Sequence, residues 1–244
     1  TNPTTLQAAL KYEGDTMGHC VGGYCDDVAA NSTQIFSLRD AKGTPHVTIE
    51  VQPSEVPYAA SGEAFARLSN AEKAQYREYI RAWRNRNPDI EDLTEENIYQ
   101  ALSEAGVPPN PPSIIQIKGK GNAAPAEKYL PAVQDFVSSR AWSEVGDLSN
   151  AQMMPIGNGR YISDAKIKEI ADRHFGDSFG NKPDESEDAH EYYNRIRRYN
   201  PDMLSEADKN FLYDIQNGNF ANGGEVLAYA QGGYVTKKTK GAKP

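Results

Sequence analysis

A thiol and an imidazole stand side by side early in the chain, within Met17-Gly18-His19-Cys20-Val21-Gly22-Gly23-Tyr24-Cys25. A cysteine attacks as thiolate, which needs a cationic neighbour or free helix amides. Adjacent side chains usually point apart, so a base for Cys20 can also come from another element. His46 and Glu50 are candidates beside His19. The flanking glycines allow close backbone approach, which suits a ligand site. The plain alternative makes Cys20 a small buried hydrophobe and the glycines a turn, and by spacing alone that is the commoner case.

Metal chemistry fits these residues poorly. Cys20, Cys25, His19 and His46 offer four N/S donors, but a structural zinc site would want a second matched pair. The expectation is no metal and no cofactor. Further polar candidates are Arg39, Thr48 and Glu50, then Gln116 and Lys118. The stretch Lys118-Gly119-Lys120-Gly121-Asn122 has the composition of a phosphate cradle. It lacks the Gly-Lys-Ser/Thr of a Walker loop, so a tight turn with solvated lysines fits as well. Arg77, Arg81 and Arg84 interleave with Tyr79 and Trp83, a pattern that binds single-stranded nucleic acid by charge and stacking. The same pattern also arises when aromatics are core and arginines lie around them. Arg195, Arg197 and Arg198 among Tyr192, Tyr193 and Tyr199 repeat that ambiguity.

The elements that must position these residues follow from periodicity. Residues 1–13 have a helical pattern that Gly14 is expected to break. A short helix is expected over 26–30. Residues 34–39 and 46–51 alternate with period two and are rich in β-branched residues, so they predict strands joined by a hairpin. Residues 114–118 predict a third. A long excursion, about 53–113, separates strands two and three. It holds one helix opening at Ser69-Asn70-Ala71-Glu72 and stopping at Asn87-Pro88, and a second from Asp92-Leu93-Thr94-Glu95 to Gly106. Pro108 to Pro112 returns the chain as a stiff connector. Helices are expected over 130–140, 163–175, 187–198 and 205–216, with a loop at 177–187.

Length and composition bound the classes. The chain has 244 residues, with 26 Lys+Arg against 34 Asp+Glu, a net charge of −8. That suffices for one large or two modest domains. The acidic balance argues against a general nucleic-acid coat, though not against a local basic patch. No run reaches the roughly 18 apolar residues of a membrane helix, and no start resembles a signal peptide. Two cysteines are too few for a disulfide scaffold. A start at Thr1 gives the expectation of a trimmed piece of something longer.

Four blocks in order carry a family likeness: His19-Cys20-Val21-Gly22-Gly23-Tyr24, Ile35-Phe36-Ser37-Leu38-Arg39, Thr48-Ile49-Glu50-Val51, and Gln116-Ile117-Lys118-Gly119-Lys120-Gly121-Asn122. Over about residues 5–125 the sequence resembles the PcfJ-like domain of conjugative-plasmid, phage and other mobile-element proteins. The helical excursion departs from that pattern, where shorter links are usual. The resemblance implies a setting rather than a reaction. It marks His19, Cys20, Gly22, Tyr24, Arg39, Thr48, Glu50, Gln116, Gly119 and Asn122.

The expectation is an α+β protein: a small antiparallel sheet of about three strands packed by helices, then a mostly helical C-terminal half. The expected units are a PcfJ-like domain over 1–125, with its insertion at 53–113, a helical region over 126–222 and a Gly-rich, basic tail over 223–244. In the site, Cys20, His19 and Glu50 would carry chemistry. Tyr24, Arg39, Thr48, Gln116, Lys118, Gly119 and Asn122 would bind substrate, and Arg77, Arg81 and Arg84 nucleic acid. The function expected is a phage or mobile-element protein acting on or near nucleic acid in transfer or infection. A non-enzymatic nucleic-acid-binding module and a structural or co-injected particle component are the alternatives. Partners would be nucleic acid or other phage or plasmid proteins, with no membrane. The expected location is the bacterial host cytoplasm or the phage particle.

Overall fold

A computed structural model describes residues 3–58, 60, 65, 66, 68–90, 92–176 and 188–218. The expected loop at 177–187 and the tail at 223–244 lie outside them. The first helix, α1, spans Pro3–Met17. It runs through Gly14 instead of ending there, because the next turn folds back onto that glycine. A Cβ on Gly14 would stand 3.0 Å from the His19 carbonyl oxygen and 3.3 Å from the Gly22 nitrogen. A 3₁₀ turn at Cys20–Gly23 and a short helix α2, Cys25–Ala29, follow.

Strands β1 (Gln34–Arg39), β2 (Pro45–Gln52) and β3 (Ser113–Lys118) form an antiparallel sheet in that order. Ser37 pairs with Thr48 and Ile35 with Glu50, while Thr48 pairs with Lys118 and Glu50 with Gln116. Alternation then gives the sheet two different faces. Val47, Ile49, Val51, Ile114 and Ile117 are buried on one, against Val133, Phe136 and Val137 of α5 (Leu130–Ser138) and against Trp142. The other face carries Thr48 and Glu50, both buried although polar. Helix α1 lies against β2 and buries a stripe of Leu6, Leu10, Glu13 and Met17.

The excursion between β2 and β3 contains α3, Asn70–Arg86, and α4, Glu95–Glu104. Each opens with a reciprocal cap, Ser69 with Glu72 and Thr94 with Asn97. The chain leaves and returns through a neck: Asn110 N–H donates to the Val56 carbonyl at 2.8 Å, Tyr58 N–H to that of Pro108 at 2.6 Å, and Pro57 bridges Pro109.

Beyond α5 lies a hairpin that the periodicity above does not anticipate, β4 (Met153–Gly157) and β5 (Arg160–Ser163). Met153 and Tyr161 join the sheet's core. Met154, Ile156 and Ile162 join a second core with α6 (Asp164–Phe175), α7 (Ala189–Ile196) and α8 (Glu206–Asn217). The molecule is α+β, with the smaller two-stranded sheet added to the three-stranded one.

Candidate functional site

Three sets of contacts build up over the polar face of the sheet. The innermost centres on Glu13, which is 1% exposed. Its carboxylate accepts from Ser37 Oγ, Thr48 Oγ1 and an Arg39 guanidinium nitrogen, each at 2.7 Å. Arg39 Nε also donates to Ser37 Oγ at 2.9 Å, and its guanidinium lies 5.5 Å from the Tyr12 ring centroid. A carboxylate withdrawn from water needs such donors. Glu13 was not among the residues singled out above. Its signal was available: it occupies a core position in the Leu6, Leu10, Glu13, Met17 stripe, where an apolar side chain is expected.

The second set joins the thiol segment to the sheet. Gln116 Nε2 donates to a Glu50 carboxylate oxygen, and the Tyr24 phenol lies near enough to Glu50 to feel its charge. Burial raises the Tyr24 pKa above the ordinary phenol value, and the charge of Glu50 raises it further. Tyr24 therefore keeps its phenolic proton beside Glu50.

The third set is the rim. His19 Nε2 is 2.7 Å from the Gly119 carbonyl oxygen, across 100 residues of sequence. A carbonyl only accepts, so Nε2 carries the proton and Nδ1 is the accepting nitrogen of the neutral ring. Gly119 is buried because the chain folds tightly there. A Cβ would meet the Ala124 carbonyl oxygen at 2.6 Å. Gly121 and Asn122 follow at φ 64° and 62°, and a Cβ on Gly18 would lie 3.7 Å from Gly121 Cα. Cys20, Lys120 and Asn122 are exposed on this rim.

Several candidates stand apart. Lys118 pairs with Asp147 at 2.8 Å, and that carboxylate also accepts from Ile117 N–H at 3.1 Å. His46 sits 3.2 Å from Asp40 and stacks on Tyr129 with centroids 4.5 Å apart. Neither partner belongs to the thiol segment. Arg77, Arg81 and Arg84 are exposed on α3, and Arg81 pairs with Glu78. Of the aromatics between them, Trp83 is buried and Tyr79 half-buried. Among the described residues no three His, Cys, Asp or Glu side chains are grouped to hold a metal ion. No described helix is long and apolar enough to cross a membrane.

The first three blocks of the likeness thus meet on one sheet face, under one helix. Residues 2–73 match the family model of PcfJ-like protein. The PcfJ-like segment therefore contains Glu13, His19, Cys20, Tyr24, Arg39, Thr48 and Glu50. The match stops before Gln116 and Gly119, yet both touch the PcfJ-like segment directly. No curated protein and no solved structure matches the chain.

Proposed function

We propose that this is a phage or mobile-element protein whose PcfJ-like segment presents Cys20 and His19 as a substrate-contacting pair, acting on or near nucleic acid in transfer or infection. The observation that carries the reading is the bond from His19 to Gly119. It fixes the imidazole of the residue next to an exposed thiol and leaves Nδ1 as the proton-accepting atom. Glu50 is 7% exposed, already accepts from Gln116 and has the Tyr24 phenol nearby. That favours Glu50 as the group that positions Tyr24 and the turn, with His19 as proton carrier. Glu13 and Ser37 hold Arg39 in the floor, and Lys120 and Asn122 offer a cation and an amide at the rim. The residues of the proposed site run to about residue 125, since β3 and its loop supply Gln116 and Gly119, while α5 and Trp142 complete the core beneath the sheet. The helical region over 126–222 and the tail over 223–244 complete the proposed organisation.

The test is a transfer or infection assay with chain carrying Cys20→Ser. The expected outcome is loss of function with an unchanged melting temperature. Full function in that variant overturns the role of the thiol. A second reading, a nucleic-acid-binding module, draws on the exposed Arg77, Arg81 and Arg84. It requires single-stranded DNA to be retained at low salt and released steeply as salt rises. No retention at low salt removes it.

A further inference from the structure

A cavity of about 270 Å³ opens between the end of α5 and the β4–β5 turn, lined by none of the candidate-site residues. Its wall includes Arg140, Arg160, Asn158, Ser138 and Ser139, and no Asp or Glu among the described residues. In a chain of net charge −8, two guanidiniums around one carboxylate-free hollow are notable. Arg140 is exposed and lies over the Trp142 ring, 4.3 Å from its centroid. That face contact leaves its N–H donors, arranged for bidentate recognition, without an acceptor among the described residues. Arg160 is fixed by donating to the carbonyls of Gln216 at 2.6 Å and Gly218 at 2.8 Å.

The turn opposite is equally constrained. Gly157, Asn158 and Gly159 have φ of 101°, 53° and 69°. Trp142 N–H donates to the Gly159 carbonyl at 2.8 Å. A Cβ on Gly159 would stand 2.4 Å from the Trp142 carbonyl oxygen, so the turn sits hard against the segment that carries Arg140. Asn158 is exposed, with an amide that no described residue engages.

We infer that this cavity is a binding site for a phosphate-type oxyanion, with Arg140 as its anchoring cation and Asn158 as an orienting amide. Guanidinium forks match phosphate oxygens in pairs. The volume suits a phosphate group with a small attachment and is too small for a larger organic ligand. The competing explanation is that Arg140 merely complements the carbonyl end of α5 while covering Trp142.

Inorganic phosphate titrated into the full chain, followed by amide and arginine NMR signals, separates the two. The site predicts saturable shifts at Arg140, Asn158 and Gly159. Arg140→Gln should weaken binding by about tenfold or more, the loss expected for a charge-assisted pair. Asn158→Gly keeps the left-handed turn and should weaken binding several-fold, so it carries the test if Arg140→Gln unfolds. Shifts that never saturate, or affinity unchanged in both variants, overturn the site. Short oligodeoxynucleotides with a 5′-phosphate or a 5′-hydroxyl then identify the source. Tighter binding of the phosphorylated one assigns the pocket to a nucleic-acid end, and equal binding assigns it to a small phosphate compound.

Discussion

Glu13 and Cys20 lie seven residues apart and make opposite demands on the fold. Glu13 is a buried carboxylate held by a partly buried cation and two hydroxyls. Removing one partner of such a pair leaves the other charged and dry, which costs about 3–5 kcal/mol when burial is complete. The Arg39 side chain is 17% exposed, so water relieves part of that penalty. Glu13→Gln is expected to destabilise the fold by about 2–4 kcal/mol in urea denaturation. Cys20 is exposed, and Cys20→Ser is expected to move stability by less than about 0.5 kcal/mol in the same measurement. A large loss with Cys20→Ser would mean that the thiol is packing, the plain alternative drawn from spacing. The residue types of the rim and floor were legible in the sequence because thiol, imidazole and strand-borne polar groups are conspicuous. Glu13 was not, since a carboxylate in a polar helix is unremarkable until its stripe is followed.

At the scale of elements, local signals served well wherever one segment decides its own structure. The capping residues Ser69 and Thr94, the alternation in β2 and the stop at Gly176, with φ 64°, are of this kind. Gly14 shows the opposite case. Its helix continues while the turn at 19–22 folds back into the space a side chain would fill, a fact that no propensity holds. The β4–β5 hairpin did have a local signal, Asn158-Gly159 between apolar runs, a strong mark of a tight hairpin turn. Its contacts on both faces obscured the alternation, since Met153 and Met154 face different cores. Gly159→Ala should therefore be costly, from the backbone clash at Trp142 and the left-handed φ together. A loss of about 2 kcal/mol or more is expected, measured as a lower urea midpoint. The excursion makes a contrasting prediction. Its helices pack on each other and join the sheet through the Val56–Asn110 neck. Replacing 59–107 by a short Gly/Ser link should preserve the amide NMR signals of β1, β2 and β3. Their collapse would show that the excursion supports the sheet.

Across the whole molecule, tyrosines link the separate regions to one solution variable. Tyr24 lies at the candidate site, Tyr76 on α3, Tyr161 in the sheet's core and Tyr193 in the second core. In all of them burial is the leading cause of a pKa above the ordinary phenol value. Tyrosine in an unfolded chain ionises near pH 10. Below that both states hold the phenolic protons, and the stabilisation is fully present. As pH rises past about 10 the unfolded chain loses those protons first, so it binds fewer than the native state and stability falls. Urea midpoints measured from pH 7 to 11 should thus stay level with respect to these groups and then drop, the fall completing above the native pKa values. Tyr24→Phe removes one of the contributing protons. It should make the alkaline drop shallower. An equally steep drop in that variant would mean that Tyr24 is solvated in the native protein and does not lie against Glu50.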